Sequence, residues 1–405
     1  MTETVLIVGA GHGCAQAVAS LRQEKFDGKI IVVGDEPYIP YQRPPLSKDF
    51  LKGELPLERL YIKPEKFYAD RDVELKLGHR VTSINPVAKT ASLETDEILS
   101  WDHLILATGS NVRRLNAPGH ELKGIHYLRT VADVHAIQAD FDGAENVVIV
   151  GGGYIGLEIA AVARQKGKAV TVLEMADRIL NRVVAPEMSE FYHRVHEEEG
   201  VRILCHTGVT AFDGQDGRVS RVIAGDGQEF AADLVIIGIG ITPAQELAES
   251  AELDLDNGIK VDEYCRTSAP DIYAIGDCTS HPSLLYGRRI RLESVPNAMG
   301  QAKVAAKAIC GKLEVYDEIP WFWSDQYDMK LQIAGLSQGY DQIVLRGDPD
   351  SRHLAAFYLK DGVLIAMDGV NSPGEFMASK KLIAQKATPD PEKLADSSVS
   401  MKEFL

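Results

Sequence analysis

The stretch Asn146-Val-Val-Ile-Val150-Gly151-Gly-Gly153-Tyr154-Ile155-Gly156-Leu157-Glu158 decides the fold. Its apolar, β-branched start reads as a buried parallel strand. The glycines read as a tight turn, and Leu157 to Gln165 as a helix. Ala169 to Leu173 is the next strand, and it ends at Glu174. In such a βαβ unit the backbone N–H groups at the helix N-terminus meet a pyrophosphate. A carboxylate about 20 residues further on takes a ribose hydroxyl.

A second copy opens the chain. Val5 to Val8 is the strand, and Gly9-Ala-Gly11-His12-Gly13-Cys14 is the turn leading into a helix. Lys29 to Val33 follows and ends at Gly34-Asp35-Glu36. Cys14 stands where Gly or Ala is usual, and it is small enough for close helix–strand packing. Asp35 and Glu36 are both candidates for the ribose, with Asp35 preferred. One glycine turn also fits an ordinary strand–helix connection. Two, each with an acidic strand end, imply two dinucleotides, FAD and a nicotinamide nucleotide, with hydride passing between them. Glu174 would repel a 2′-phosphate and so favours NADH, although Arg178 and Arg182 lie close enough in sequence to meet phosphates.

Further glycine-ended apolar runs occur at His103–Gly109, Leu234–Gly240 and Asp271–Asp277, followed by a helical pattern at Ala298–Ile309. After Pro320 the texture changes to alternating segments (WFWSDQYDMKLQIAG, QIVLRG, HLAAFYLK, GVLIAMDGV), which read as antiparallel strands. Glu375–Gln385 reads as a helix, and Thr388–Leu405 as a polar, peripheral end.

Composition removes several function classes. Of 405 residues, 43 are Lys or Arg and 59 are Asp or Glu, a formal charge of −16. That balance disfavours nucleic acid and anionic membrane as partners. The five cysteines, Cys14, Cys205, Cys265, Cys278 and Cys310, form no close pair. A disulfide scaffold, a zinc ribbon and a cysteine-held iron–sulfur cluster are not expected, and a reducing, cytoplasmic setting is. The N-terminus reads as a strand rather than a signal peptide, and no run is long enough to predict a membrane-spanning helix.

The residues that carry a family resemblance are GDEPYIPYQRPPLSKDFL (34–51), LILATGS (104–110), GGGYIGLEIA (151–160), IYAIGDC (272–278), RLESVPNAMGQA (291–302) and PWFWSDQYD (320–328). Over essentially its whole length the chain resembles the FAD-dependent NADH:ferredoxin reductases of bacterial oxygenase systems. These include reductases that serve putidaredoxin, rubredoxin and aromatic-ring dioxygenases. The implied fold is α/β, with two Rossmann-like FAD/NAD(P)-binding domains of the glutathione-reductase type plus a C-terminal α+β domain. The implied boundaries are 1–109 with 241–315 for FAD, 110–240 for NADH and 316–405 for the third domain.

The resemblance also nominates residues. For FAD they are Gly9, Gly11, His12, Gly13, Cys14, Asp35, Glu36, Arg43, Lys48, Val81, Ala107, Thr108, Gly109, Arg129, Asp277, Val295 and Trp323. Asp277 would bond the ribityl chain, Val295 pack near the pyrimidine end, and Trp323 sit at the flavin edge. Pro44 and Ser47 would match residues around the flavin and its phosphates, and Thr130, with Arg129, a contact to FAD at its phosphate or adenine side. Lys48 would sit near flavin N5 and pair with Glu158, and these two are the candidate catalytic residues. For NADH they are Gly151, Gly153, Tyr154, Ile155, Gly156, Glu158, Glu174, Arg182 and Gly240, with Tyr154 or Ile155 orienting the stacked rings.

The resemblance implies electron transfer from NADH through FAD to a [2Fe–2S] ferredoxin serving a cytochrome P450 or Rieske-type oxygenase. The segment at residues 37–50 holds no cysteine, where disulfide reductases of this general type carry a dithiol. Direct flavin-to-protein transfer is therefore expected. Ferredoxins of this family are acidic, so an acidic reductase needs a local basic surface. Arg288, Arg289 and Arg291 form the one compact basic segment and are the expected docking site. The competing readings are a rubredoxin reductase, an NADH oxidase or small-molecule reductase, and a signalling flavoprotein. A monomer is preferred over a dimer.

Overall fold

A computed structural model describes residues 3–405. The chain forms two compact units. The first comprises residues through Gln42, Leu57–Asn111 and Thr242–Pro320; the second comprises Arg43–Pro56, Val112–Ile241 and Trp321–Leu405.

The first unit is built on a five-stranded parallel sheet. Its order is Ile272–Ala274, His103–Leu106, Thr4–Val8, Lys29–Gly34, Val73–Leu77. Period-2 alternation splits its side chains between two cores. Val5, Ile7, Ile30 and Val32 pack with Cys14, Val18 and Leu21 of the helix His12–Gln23 and with Ala302 and Ala305 of the helix Val295–Ile309. Leu6, Val8, Ile31 and Val33 pack on the opposite face with Val81, Ile84, Ala91 and Leu93. The last four belong to a three-stranded antiparallel sheet formed by Val81–Asn85, Thr90–Leu93 and Ile98–Ser100.

The second unit repeats the plan. Its parallel sheet runs Val201–Leu204, Ala169–Leu173, Asn146–Val150, Leu234–Ile237, Ile125–Tyr127. The antiparallel strands Val209–Gln215, Arg218–Ala224 and Glu229–Ala231 cover one face through Phe212, Val222 and Phe230. The helix Tyr154–Gln165 follows the glycine turn.

The same unit contains the C-terminal α+β domain. Its antiparallel sheet runs Trp321–Gln326, Met329–Gly335, Val363–Val370, His353–Lys360, Gln342–Asp348, and the helix Pro373–Ala384 packs on it. WFWSDQYDMKLQIAG is two strands rather than one. Tyr327 at φ 55° turns the chain between Gln326 and Met329. The end of the chain is anchored rather than peripheral. Leu394 and Met401 are buried, and the buried Arg346 donates to the carbonyls of Leu394, Asp396 and Val399.

Candidate functional site

The two glycine turns have the same construction. Gly9 N–H donates to the Val33 carbonyl and Gly151 N–H to the Leu173 carbonyl, each at 2.8 Å. Gly9 and Gly151 both have φ +107°, and a Cβ on either would sit 2.2 Å from the Ala107 oxygen or 2.4 Å from the Gly238 oxygen. Only glycine closes these turns. Gly11 and Gly153 instead face open space. They are the N-caps of the following helices, and neither helix has a side-chain cap. With glycine at the N-cap no side chain stands over the first turn, so the helix N-terminus stays open to the approach of a pyrophosphate. A Cβ on Gly156 would lie 2.3 Å from the Gly151 oxygen, so this glycine serves close packing. The residues present fit two dinucleotide phosphates.

Cys14 occupies the corresponding packing position in the first helix, fully buried, and burial pushes its thiol up to about 12. Gly13 lies against Ile275 and the Ala298 carbonyl, and Gly276 lies against Ala298. The first glycine turn, the Gly276–Cys278 turn carrying Asp277, and the helix start at Val295 therefore form one corner of the first unit. His12 is the first residue of its helix. The Ser110 hydroxyl donates to Asp277 at 3.1 Å. Thr108 donates to the Ala244 carbonyl at 2.6 Å, and the Gly109 carbonyl accepts from Ala244 N–H. Gln301, fully buried, accepts from Gly276 N–H at 2.7 Å and from the Thr279 hydroxyl at 3.0 Å, which holds the Asp277 turn. Sequence reasoning missed Gln301; its signal is a polar residue on the apolar face of a helix.

At the first acidic strand end, Asp35 is exposed and paired with Arg80 at 2.9 Å. Glu36 is half-buried and accepts from the Tyr41 hydroxyl at 2.6 Å. Val81 has its side chain in the core. At the second strand end, Glu174 accepts from Gly152 N–H and Ala176 N–H, each at 2.7 Å, which fixes its carboxylate beside the turn. Arg178 donates to the carbonyls of Val184 and Asn181. Arg182 is exposed, with its guanidinium near Gly240.

Lys48 and Glu158 meet in the second unit. Their charged atoms are 2.8 Å apart, and the side chains are 16% and 5% exposed. The loop Pro44–Ser47 brings Lys48 there as a 3₁₀ turn, with proline fixing φ at its start. Glu158 also accepts from the Ser47 hydroxyl at 2.5 Å and from the Ser324 hydroxyl at 2.6 Å. Arg43 donates to the Arg129 carbonyl at 2.6 Å, which ties the same loop to the residue before the helix cap. Thr130 caps the helix Val131–Phe141, so its hydroxyl is engaged.

The Tyr154 ring lies on Phe322, 4.9 Å between centroids, and its hydroxyl is buried with no hydrogen-bond partner. Ile155 is 44% exposed. Trp323 is half-buried and tilted 31° against Trp321 at 5.6 Å, while Trp321 also packs on Phe376.

The expected basic surface is not presented as a set. Arg288 is exposed. Arg289 turns inward, donating to the carbonyls of Val261 and Ser280, and lies 3.5 Å from the Asp256 carboxylate. Arg291 is mostly buried, 2.6 Å from the Glu293 carboxylate. A run of basic letters does not fix where the guanidinium heads point, and here two of three serve the fold.

Among the described residues, no helix is long and apolar enough to cross a membrane, and no cluster of His, Cys, Asp and Glu could hold a metal ion. The five cysteines are free.

Comparison with known proteins places these features. Residues 3–302 match the family described as pyridine nucleotide-disulphide oxidoreductase, and residues 321–405 match the reductase C-terminal family. A ferredoxin–NAD(P)(+) reductase of a Sphingomonas species is 44% identical over 410 residues, covering 100% of this chain and 99% of that one. Putidaredoxin reductase in its covalent complex with putidaredoxin is 41% identical, with a TM-score of 0.96 over 99% of this chain and 98% of that one. The ferredoxin reductase for the CYP199A2 system of Rhodopseudomonas palustris is also 41% identical, with a TM-score of 0.96 over 99% of both chains.

Proposed function

Because the chain belongs to the FAD-dependent ferredoxin reductase family of bacterial oxygenase systems, we propose that it carries electrons from NADH through FAD to a [2Fe–2S] ferredoxin, which in turn serves a cytochrome P450 or Rieske-type oxygenase. It is an oxidoreductase that uses FAD and NADH. Bound FAD supplies the chemistry that couples a two-electron hydride donor to a one-electron acceptor. The observation that carries this reading is the pair of glycine-turn helices whose N-termini lack side-chain caps, together with the buried Lys48–Glu158 pair.

The chain's own residues divide the work as follows. Gly9, Gly11, His12, Gly13 and Cys14 form the turn for the FAD pyrophosphate, with Ala107 closing against Gly9. Asp35 and Glu36 both stand at the strand end for the ribose, Asp35 paired with Arg80 and Glu36 holding the Tyr41 hydroxyl. Thr108, Gly109, Asp277 and Val295 stand along the same ligand. Arg43, Lys48, Val81, Arg129 and Trp323 are assigned to it by the family resemblance. A lysine held by a carboxylate stabilises negative charge beside it while limiting its own desolvation cost.

For NADH, Gly151, Gly153 and Gly156 form the second turn and Glu174 takes the ribose. Ile155 offers the exposed apolar surface for the nicotinamide, because Tyr154 is turned onto Phe322. Gly240 and Arg182 line the approach. We assign FAD to residues 1–109 and 241–315, NADH to 110–240, and the third domain to 316–405. Scattered free cysteines suit the cytoplasm. Arg288 is retained as a docking residue for an acidic ferredoxin.

Anaerobic rapid mixing tests the reading. NADH should bleach the flavin in one fast phase, and a [2Fe–2S] ferredoxin should restore the colour faster than a rubredoxin or oxygen does. Failure of NADH to bleach the flavin would refute the function. Faster reoxidation by rubredoxin or by oxygen would replace the acceptor.

A further inference from the structure

The Glu158 carboxylate is the end point of a hydrogen-bond chain of five groups that starts at Tyr327. Ser324 donates to Glu158 Oε1 at 2.6 Å. Gln326 Nε2 donates to the Ser324 oxygen at 3.2 Å. Gln326 Oε1 lies 2.8 Å from His196 Nε2, and the Tyr327 hydroxyl lies 3.0 Å from His196 Nδ1. All lie in the second unit. Ser324 and Gln326 are 1% and 2% exposed, and His196 is completely buried on the helix Pro186–Glu198. The strand Trp321–Gln326 supplies two members because residues two apart point to the same face.

Each group in this chain fixes the next. An ionised carboxylate only accepts, so Ser324 must give its one proton to Glu158. Its oxygen then accepts, and the Gln326 amide must turn its NH₂ toward it. The Gln326 carbonyl therefore faces His196, which must carry its proton on Nε2. Nδ1 is left as an acceptor, and Tyr327 donates to it. Every donor points one way, toward Glu158, and such aligned bonds polarise one another in a low-dielectric interior. On Oε2 the carboxylate receives Lys48 and Ser47. The arrangement requires neutral His196, and burial pushes that imidazole down to about 4.

We propose that Tyr327, His196, Gln326 and Ser324 form a one-way chain that holds the Glu158 carboxylate aimed at Lys48, which makes His196 and Ser324 positioning residues for that pair. The consequence for flavin reduction rests on the reading of Lys48 and Glu158 given above; the chain itself does not. The charged and titratable groups around Glu158 are Lys48, Tyr154 and Tyr192. Both tyrosines are held well above their ordinary range by burial and stay protonated. Around His196 they are Glu199, His193 and Tyr327.

The test has two independent readouts on the FAD-loaded protein. Nitrogen-15 NMR of the imidazoles should show His196 as a neutral Nε2–H tautomer with no titration between about pH 5 and 8. An Nδ1–H tautomer, or titration near the ordinary histidine range, overturns the chain. The second readout is flavin bleaching by NADH, split into the limiting rate and the NADH concentration for half-maximal rate. Ser324→Ala leaves Glu158 without its donor on Oε1 and loosens its aim at Lys48, so the limiting rate should fall several-fold with half-saturation unmoved. Gln326→Glu, which as a carboxylate cannot donate to Ser324, should lower the limiting rate likewise, and Ser324→Thr should restore it. An unchanged limiting rate in Ser324→Ala, or a change confined to half-saturation, would overturn the proposal. Glu158→Gln separates the two readings: if it bleaches like the parent protein, the assignment of the pair to the flavin falls, while the NMR result still decides the chain.

Discussion

Tyr358 donates a 2.5 Å hydrogen bond to the Asp368 carboxyl inside the C-terminal sheet, where Asp368 is 1% exposed. Burial outweighs that bond and raises the Asp368 carboxyl from its ordinary value to about 7. A carboxyl raised on folding contributes stability that is full below its unfolded value, about 3.8, and is lost as pH rises through about 7. Asp368→Asn should therefore match the parent near pH 4. It should exceed the parent above pH 7 by on the order of 4 kcal/mol. Urea unfolding across that range checks it, and a constant difference at all pH values would reject it.

His281 has the opposite sign. It is 3% exposed, hydrogen-bonded through Nδ1 to Gln301 at 3.1 Å, and lowered to about 4 by burial and by Arg289. A histidine depressed on folding contributes stability that is present above its unfolded value, about 6.5, and is lost as pH falls through about 4. His281→Asn removes that titration and keeps an acceptor for Gln301. Its stability relative to the parent should rise as pH falls from about 6.5 to 4. Thermal midpoints measured on both proteins across this window should converge toward acid.

Glu158→Ala strands the Lys48 ammonium in a site where it is only 16% exposed. Breaking a fully buried pair costs about 3–5 kcal/mol, and the residual exposure of Lys48 reduces this to about 2–3. The double variant Lys48→Met, Glu158→Met should recover most of that stability while still losing rapid flavin reduction by NADH. Denaturant melts and stopped-flow bleaching separate the two effects. A double variant that reduces its flavin at the parent rate would remove Lys48 and Glu158 from the reaction.

The features that the sequence reveals are those in which backbone geometry dictates a residue type. Gly9 and Gly151 are forced by φ +107° and a neighbouring carbonyl, so both βαβ units are visible as letters. The parallel strands are visible because burial on both faces demands continuous apolar runs. Ser324, Gln326 and His196 are not visible as partners of Glu158, because only the fold brings the strand Trp321–Gln326 and the helix Pro186–Glu198 to it. The end of the chain reads as peripheral from its polarity. Leu394, Met401 and the carbonyls gripped by Arg346 are too sparse to show an anchor. Arg289 misleads for a related reason, since its charge is legible and its inward contacts are not.

Those contacts separate two arginines that look equivalent. Arg288→Glu should raise the ferredoxin KM several-fold with little change in NADH–ferricyanide turnover or thermal midpoint, the signature of a lost surface attraction. Arg289→Glu should instead lower the midpoint, because the carbonyls of Val261 and Ser280 lose their donor. An unchanged ferredoxin KM in Arg288→Glu would remove this hairpin from the docking surface.

Nucleotide choice turns on Glu174, whose carboxylate is fixed by Gly152 N–H and Ala176 N–H. A group so held cannot swing away from a 2′-phosphate. Glu174→Ala removes the repulsion but also orphans two amides beside the turn, so NADH binding should suffer as well. Glu174→Gln is the cleaner variant. Its amide oxygen can still accept one N–H, and its NH₂ can donate to a phosphate oxygen. The ratio of kcat/KM for NADPH over NADH should rise by about 10- to 100-fold, the effect of roughly 1.4–3 kcal/mol of discrimination. Most of the change should appear as a lower KM for NADPH, since the substituted contact lies far from the transferring hydride. An unaltered ratio would place the ribose elsewhere than on Glu174.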